Sequence, residues 1–549
     1  MRVLFSSSIR KAIYYLLLIS CLNRIINVDD IELIHTVNDQ GIIELDSYYI
    51  INKITGNIKY KNPYDYLLGI FEAANDTTFS DSLPIAIIKE ENINDLKINI
   101  TISIPNTYKY LRYIPPNNND AKIEKLKILG HEYDDTEDLS DKKLFTVTNL
   151  PLMIINTENS EEPYSRYLTI GSTVIIINEN KIEKNETAEI RVRGHSTSGL
   201  DKKPYRIKFD KKQEVLGIEG EYKKWALLAN HYDKSYLRNI LAFKISKIIG
   251  LEFTPRCKPV DVILNRNYRG NYLMCDQIEV DKGRVDIEKL KKKDEDITGG
   301  YLLEIDVRAM EEEKYFQTTK GILGEIKYPD SDDITEEQEK YIKDYLNIME
   351  RNVYNGNLHY IDLNSFYKYF IMQEFAADID SVLSSFHITK RKGDDKLYFG
   401  PVWDYDLSFD NDDRLRPTNE KPLFSFFYGG TCGTTREFII QILKTNNTLS
   451  KIGKTFDELR DNGFDFKTLK DFIDETTDLL MESANLDFLR WFGAKIGEGK
   501  KSYLENVDVV VNYVEKRFES LDYLINNPNL FGTGLKINYF TFLLLLILL

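Results

Sequence analysis

The segment 376–413 reads AADIDSVLSSFHITKRKGDDKLYFGPVWDYDLSFDNDD, and the interpretation of the whole chain depends on it. FHITKRK and KLYFGPVWDYDLSF are typical of two strands, and the turn GDD between them predicts a tight hairpin. Asp378 and Asp380 precede this hairpin, while Asp404 and Asp406 come at the end of its second strand. We therefore expect carboxylates from both ends of the segment to reach one place.

Paired carboxylates in this arrangement suit phosphoryl transfer. One Asp orients or deprotonates the acceptor hydroxyl, and a second one, about two dozen residues later, holds a divalent metal on the phosphates. The alternative is a set of solvated acidic loops, because the chain has 87 acidic residues. Asp404 and Asp406, however, lie in the otherwise apolar run VWDYDLSF, where an unpaired charge is costly to bury. A bound metal would remove that cost.

The composition excludes some classes of function. With 549 residues the chain is long enough for two or three domains, and 42% hydrophobic residues provide for a sizeable core. The formal net charge of −15 opposes nonspecific binding to nucleic acid or to anionic membranes, so no nucleic-acid partner is expected. The six His residues form no H-E-x-x-H or H-x-x-x-H pair, which argues against a hydrolytic zinc enzyme.

Both ends of the chain resemble targeting segments. Residues 1–22 have the basic start and short apolar run of a secretory signal peptide, with a signal anchor as the alternative. Residues 532–549 resemble a glycosylphosphatidylinositol (GPI) anchor signal, with a tail anchor or plain secretion as alternatives. We expect a secreted or cell-surface glycoprotein that contacts the membrane only through this C-terminal anchor. Four N-x-S/T acceptor sites agree with that route, at Asn75, Asn99, Asn185 and Asn446.

The remaining chain divides into two predicted domains. Residues 27–147 contain short alternating strands between Asn, Asp, Pro and Gly turns, which predicts a small β-sandwich-like domain. Residues 150–525 begin with further strands and continue with helices, which predicts an α+β domain.

A polar loop between two strands is the candidate phosphate-binding element. The segment 188–210 reads AEIRVRGHSTSGLDKKPYRIKFD. The small residues Gly194, Ser196 and Ser198 would let backbone N–H groups approach a phosphate. Lys208, on the following strand, is comparable to the kinase strand Lys that pairs with nucleotide phosphates. The alternative is an ordinary polar hairpin between basic strands.

The elements that follow occur in the order of a kinase small lobe and large lobe. A helix is predicted over Lys234–Ile249, and a hairpin around a turn at Asn267–Gly270. Two amphipathic helices are predicted over Thr335–Tyr354 and Asp362–Ala377, and the second delivers the first carboxylates of the 376–413 segment. Residues 435–525 are predicted to form four more helices.

These pieces together resemble the spore-coat protein H (CotH) kinase-like family, which includes secreted and surface-anchored fungal members. The resemblance covers roughly residues 150–524. Its blocks are RVRGHSTSG with KKPYRIKF, WALLANHYDKSYLRN, PVDVILNRNYRGNYLMCDQIEV, GGYLLEID, IKYPDSDDITEEQEKYI and GPVWDYDLSF. It implies an atypical protein-kinase-like, two-lobed fold that uses ATP with Mg²⁺ or Mn²⁺ and phosphorylates Ser or Thr of coat or extracellular proteins.

The resemblance also implies roles for single residues. Asp380 corresponds to the catalytic Asp, Asp404, with help from Asp406, to the metal-binding position, and Lys208 to the phosphate-contacting Lys. The chain departs from the family pattern at Asp378, where Asn is typical.

Two further features differ from the usual kinase pattern. His195 stands where the family often has Asn. The predicted helix Lys234–Ile249 contains no Glu or Asp, so the acidic partner that a kinase Lys usually has must come from elsewhere.

Two other functions remain open from the sequence. A surface adhesin, invasin or structural wall protein could use the same fold and bind a host or surface ligand, since fold does not decide function. Paired carboxylates also serve glycoside hydrolases. The small-lobe order favours a kinase, whose partner would be a protein substrate in the secretory pathway or cell wall.

Overall fold

The structure is a computed structural model that describes residues 31–37, 41–59, 62, 65–79, 81–102, 107–116, 121–133, 144–179, 181–413, 423, 430–492 and 502–526. The predicted signal peptide at 1–22 and anchor signal at 532–549 lie outside the described residues. The chain falls into two compact units. The first contains the residues up to 156 with 174–185 and 262–269, and the second contains the others.

The first unit is rich in β-structure. Nine strands form an antiparallel sheet with the order β1-β9-β3-β8-β4-β5, and β2 and β7 also pair with β3 while β6 pairs with β7. The strands are β1 (Ile31–Glu32), β2 (His35–Val37), β3 (Ile42–Ile58), β4 (Ile70–Ala74), β5 (Leu83–Ile87), β6 (Ile93–Asn94), β7 (Lys97–Thr101), β8 (Tyr108–Ile114) and β9 (Ile123–Glu132). The long strand β3 organises this sheet, because four neighbours pair along its 17 residues.

Seven strands close into a barrel with the order β10-β11-β12-β13-β14-β16-β15. They are β10 (Leu152–Thr157), β11 (Ile170–Asn178), β12 (Lys181–Val192), β13 (Tyr205–Val215), β14 (Ile218–Leu228), β15 (Cys257–Leu264) and β16 (Asn267–Asp276). Alternate residues of β13 are fully buried, such as Tyr205, Ile207 and Phe209, whereas Arg206 and Lys208 between them are not. This period of two places the basic residues on the opposite face of the strand from the buried core.

A five-stranded sheet with the order β18-β19-β17-β20-β21 supports the 376–413 segment. Its strands are β17 (Tyr301–Ile305), β18 (Tyr315–Gln317), β19 (Leu323–Tyr328), β20 (Phe386–Lys390) and β21 (Leu397–Phe399). β20 and β21 form the predicted antiparallel hairpin, with Ile388 opposite Phe399.

The described residues form seven α-helices, all in the second unit. They are α1 (Arg238–Ile248), α2 (Glu336–Tyr354), α3 (Leu363–Ala376), α4 (Gly430–Lys444), α5 (Thr448–Asp461), α6 (Phe466–Phe492) and α7 (Tyr503–Asn526). Thr335 and Gln338 form a capping box at the start of α2, and Asp362 caps α3 by accepting a hydrogen bond from the Ser365 N–H at 2.8 Å.

The structure confirms the mixed α+β class and the β-rich N-terminal region. The sandwich arrangement, the two kinase-like lobes and the domain boundaries stay predictions. The turn of the β15–β16 hairpin differs from its predicted position at Asn267–Gly270. It lies at Asn265 and Arg266, which both have positive φ values, of 48° and 65°, as the favoured two-residue hairpin turn requires.

Candidate functional site

A cleft of about 490 Å³ in the second unit brings most of the candidate residues together. Asp380, Asp404 and Asp406 line it from the 376–413 segment, and Gly194 and Ser196 line it from the polar loop. A volume in this range suits a nucleotide-sized ligand. The tertiary structure thus joins two segments that are almost 200 residues apart in the sequence.

The end of α3 places Asp380 at the cleft. Ala377 ends the helix in the left-handed conformation with φ of 48°, which turns the chain sharply. Asp378 then caps a short 3₁₀ turn over Ile379–Val382, and its carboxylate accepts a hydrogen bond from the Asp380 N–H at 3.2 Å. Because Asp378 is only 3% exposed and does not line the cleft, its role is to hold the turn that carries Asp380.

Asp404 begins the DYD loop, which comprises residues 404–409. Asp404 has φ of 69°, in the left-handed region that non-glycine residues seldom adopt, and such strain is often found at functional sites. The hydroxyl of Ser385, just before β20, lies 3.5 Å from Asp404 Oδ2. The loop is fixed from α1, because the side-chain oxygen of Asn239 accepts a hydrogen bond from the Tyr405 N–H at 2.8 Å.

The carboxylates at the floor of the cleft repel one another. Burial, and then the charge of Asp404, raises the pKa of Asp406 well above its ordinary value. Burial raises the pKa of Asp404 as well, with contributions from Asp380 and Glu304, although Arg193 opposes them. Asp404 opens onto the cleft, so water in the cleft moderates the effect on it. These carboxylates therefore favour a cation between them.

Four arginines from the barrel strands and their adjoining loops also line the cleft, and we call them the basic wall: Arg166, Arg191, Arg193 and Arg206. Arg191 and Arg206 are directly opposite each other on the paired strands β12 and β13. Burial lowers the pKa of Arg191, and Arg206 and Arg166 lower it further. Like charges in cross-strand positions are destabilising. An anion bound in the cleft would relieve this repulsion.

Lys327 forms ion pairs beside the carboxylates of Asp404 and Asp406, which we call the acidic floor. Lys327 Nζ is 3.2 Å from Glu304 Oε2 and 2.9 Å from Glu325 Oε2. Burial raises the pKa of Glu304, but Lys327 and His387 outweigh burial, and the resulting pKa is about 2. Glu304 is therefore ionised and already satisfied, which distinguishes it from Asp404 and Asp406.

The acidic floor fits a divalent metal that arrives with a phosphate ligand. Among the described residues, no group of three or more His, Cys, Asp or Glu side chains is arranged to hold a metal alone. Mg²⁺, however, usually binds one or two carboxylates together with substrate phosphates and water. Asp404 and Asp406 could provide these two carboxylates, because a cation would relieve their mutual repulsion.

Two of the predicted site residues do not line the cleft. Lys208 is 41% exposed, and its ammonium group is 3.1 Å from Glu189 Oε2 on the neighbouring strand. The acidic group that pairs with Lys208 is therefore Glu189, on the neighbouring strand and outside the cleft. The hydroxyl of Ser198 donates a hydrogen bond to the carbonyl oxygen of His195 at 2.7 Å, so it stabilises the loop itself.

The sequence interpretation missed Arg193, Arg206 and Asn239 as cleft residues. Alternation of Arg with apolar residues in IRVRG and of Arg with Ile in YRIK was a signal that these arginines share a face. No comparable local signal exists for Asn239, because its hydrogen bond to Tyr405 joins positions far apart in the chain.

No helix among the described residues has the length and apolar character needed to cross a membrane. Residues 190–521 match the family described as "CotH kinase protein". No protein with a curated description matches the chain. Among solved structures, "CBM62 from Clostridium thermocellum Xyl5A" is 23% identical over 16% of this chain and 68% of that chain, with a TM-score of 0.15.

Proposed function

The chain belongs to the CotH kinase protein family, which suggests a kinase-like function, and from this premise we propose that it transfers the γ-phosphate of ATP to Ser or Thr hydroxyls of proteins. The observation that supports the proposal is the cleft itself, which Asp380, Asp404 and Asp406 line together with Arg193 and Arg206. Phosphoryl transfer depends mainly on positioning and on neutralising charge, and the two sides of the cleft supply groups for both.

In the proposed reaction, Asp380 accepts the proton of the acceptor hydroxyl as its oxygen attacks the γ-phosphorus. The new P–O bond forms to that oxygen, and the bond to the bridging oxygen of the nucleoside diphosphate breaks. Asp378 holds Asp380 in position, because its carboxylate accepts the hydrogen bond from the Asp380 N–H. Asp404 and Asp406 would hold Mg²⁺ or Mn²⁺, which when bound supplies neutralisation of the phosphate charge.

We also propose a kinase-like, two-lobed arrangement for residues 150–525. The strands β12 to β14 provide the phosphate-binding side, and α3 with the β20–β21 hairpin provides the catalytic side. The succession of elements supports this arrangement. From β12 to β16 the chain forms a strand, the polar loop, two strands, helix α1 and a hairpin, which is similar to the order of a kinase small lobe.

The proposed setting is the secretory pathway or the cell surface, with the protein secreted or GPI-anchored. Three of the four N-x-S/T acceptors, Asn99, Asn185 and Asn446, are exposed, and Asn75 is half-buried. Exposure agrees with glycosylation, which requires an accessible Asn. The substrate would be a coat, wall or extracellular protein.

The test uses the full chain purified with its glycans. Calorimetry should detect ATP binding in Mn²⁺ or Mg²⁺ and lose it in chelator, and a Ser-rich acceptor should become phosphorylated. Asp380→Ala should lower transfer by about 100-fold or more while melting stays unchanged, because a loop carboxylate contributes little to packing. The control Asp395→Ala, at a position whose side chain is 75% exposed in the hairpin turn, should keep full activity. Metal-independent binding or none, with no transfer, would favour the adhesin function instead.

A further inference from the structure

We infer that Arg193 and Arg206, and not Lys208, hold the polyphosphate of the nucleotide in this protein. This inference rests on the proposed function and specifies which cations recognise the ligand. Six cationic side chains line the cleft: Arg166, Arg191, Arg193, Arg206, Arg308 and Lys327. They differ in whether a neighbouring protein group already forms a hydrogen bond or an ion pair with them.

Four of these cations are engaged by neighbouring groups. Arg191 Nη1 donates to the carbonyl oxygen of Arg166 at 2.6 Å, and the Arg166 guanidinium nitrogens lie 2.9 Å from the ring nitrogens of His195. Arg308 Nε is 3.4 Å from Asp306 Oδ1. Lys327 is held by the two carboxylates Glu304 and Glu325. Each of these four cations therefore already has at least one direct partner in the protein, although Arg191 Nε is buried without an acceptor.

Arg193 and Arg206 have no direct partner of this kind, although Asp404 and Glu304 attract Arg193 at longer range and Glu279 and Glu189 attract Arg206. Within the described part of the chain, neither guanidinium group makes a hydrogen bond or an ion pair. The Arg193 guanidinium carbon lies 5.0 Å from the centre of the Trp403 ring, which orients it without using its N–H groups. A half-buried guanidinium group without a hydrogen-bond acceptor lowers the stability of the folded protein. An anion in the cleft would supply acceptors for both groups.

The strand register places the two arginines diagonally across the β12–β13 pair, about 7–8 Å apart. The N–H of Arg193 donates to the carbonyl oxygen of Pro204 at 3.0 Å, just before Arg206 in the opposite strand. Arg206 also faces Arg191 across the strand pair, so repulsion between them is built into the protein. A guanidinium fork can bind phosphate oxygens through two N–H groups, and two adjacent forks suit a ligand with several phosphates.

Lys208 is placed differently although it shares a strand face with Arg206. Two residues along a strand separate their Cα atoms by about 7 Å. At that position Lys208 pairs with Glu189 and lies opposite Lys224 outside the cleft. It is therefore a matched control, because it has the same charge on the same strand and face.

The experiment compares Arg193→Gln, Arg206→Gln and Lys208→Gln in the full chain. Binding of ATP, ADP and AMP with Mn²⁺ is measured calorimetrically, and melting is recorded. We expect each arginine variant to weaken ATP binding about tenfold or more, with a smaller loss for ADP and the smallest for AMP. Lys208→Gln should change ATP binding less than about threefold. Arg206→Gln should keep or raise the melting temperature, because it removes repulsion with Arg191.

Four outcomes would overturn the inference. One is a greater loss of ATP binding in Lys208→Gln than in the arginine variants. A second is an equal loss for ATP and AMP, since phosphate recognition predicts a graded one. A third is unchanged nucleotide binding with a raised KM for the acceptor protein, which would show that the arginines bind the acceptor protein and not the nucleotide. If the unaltered protein bound no nucleotide at all, the proposed function would fall first and this inference with it.

Discussion

Asp233 and Arg238 form a buried ion pair, with 2.5 Å between Asp233 Oδ1 and Arg238 Nη1, and the same guanidinium holds the DYD loop. Arg238 Nε donates to the carbonyl oxygen of Ser408 at 2.9 Å, and Nη2 donates to that of Phe409 at 3.3 Å. One side chain thus fixes the start of α1 and the loop of metal-binding candidates to each other.

This relationship predicts that Arg238→Met lowers both stability and nucleotide binding. Removing Arg238 leaves Asp233 buried and unpaired, which costs on the order of 3–5 kcal/mol. Urea unfolding measures the loss. Lys467→Met is the control, because Lys467 and Asp471 form an ion pair whose side chains are 85% and 64% exposed. Its effect should be below about 1 kcal/mol. Equal effects of the two changes would show that the Arg238 network does not stabilise the fold.

A second prediction concerns the assignment within the DYD loop. Asp404→Asn should lose most metal-dependent ATP binding, because Asp404 opens onto the cleft, whereas Asp406 is more enclosed. A titration of ATP at several Mn²⁺ concentrations separates metal affinity from nucleotide affinity. Asp406→Asn should weaken binding less. If only Asp406→Asn abolished the metal dependence, the roles of the two carboxylates would be exchanged.

A third prediction compares two glycines of the polar loop. Gly194 has φ of 80°, and a Cβ there would clash with Thr197 Oγ1, whereas a Cβ at Gly199 would meet nothing within 4 Å. Gly194→Ala should therefore cost about 1–2 kcal/mol and raise the KM for ATP, since it shifts a loop that lines the cleft. Gly199→Ala should be neutral in both measurements. Similar KM values for the two variants would show that the conformation of Gly194 does not contribute to ATP binding.

A fourth prediction concerns the two ends of the chain. If the protein follows the secretory route, the mature form lacks residues 1 to about 22, and an anchored form also lacks the run after about Gly534. Mass spectrometry of the protein from its native cells identifies both ends. Release from membranes by a phosphatidylinositol-specific phospholipase would support the anchor. An intact Leu549 on secreted protein would rule the anchor out.

Local sequence patterns were sufficient for much of the architecture. The helix that begins after Thr335, the helix that begins after Asp362 and the hairpin around GDD were all predicted from residue types at short spacing. Such features depend on neighbours within a few residues, so they can be read without the fold. The same holds for Asp380, Asp404 and Asp406, which adjoin the helix and hairpin that carry them.

The family and the element order were likewise contained in the sequence, because they depend on blocks in a fixed succession. Only the tertiary structure decided which cations face the cleft. Arg206 and Lys208 share one face of β13, and a period of two cannot tell them apart. Their surroundings differ because Lys208 pairs with Glu189 on the neighbouring strand outside the cleft, whereas Arg206 lines the cleft together with residues from distant segments such as Asp404 and Asp406. The charge of a side chain is local, but the partner that satisfies it is set by packing.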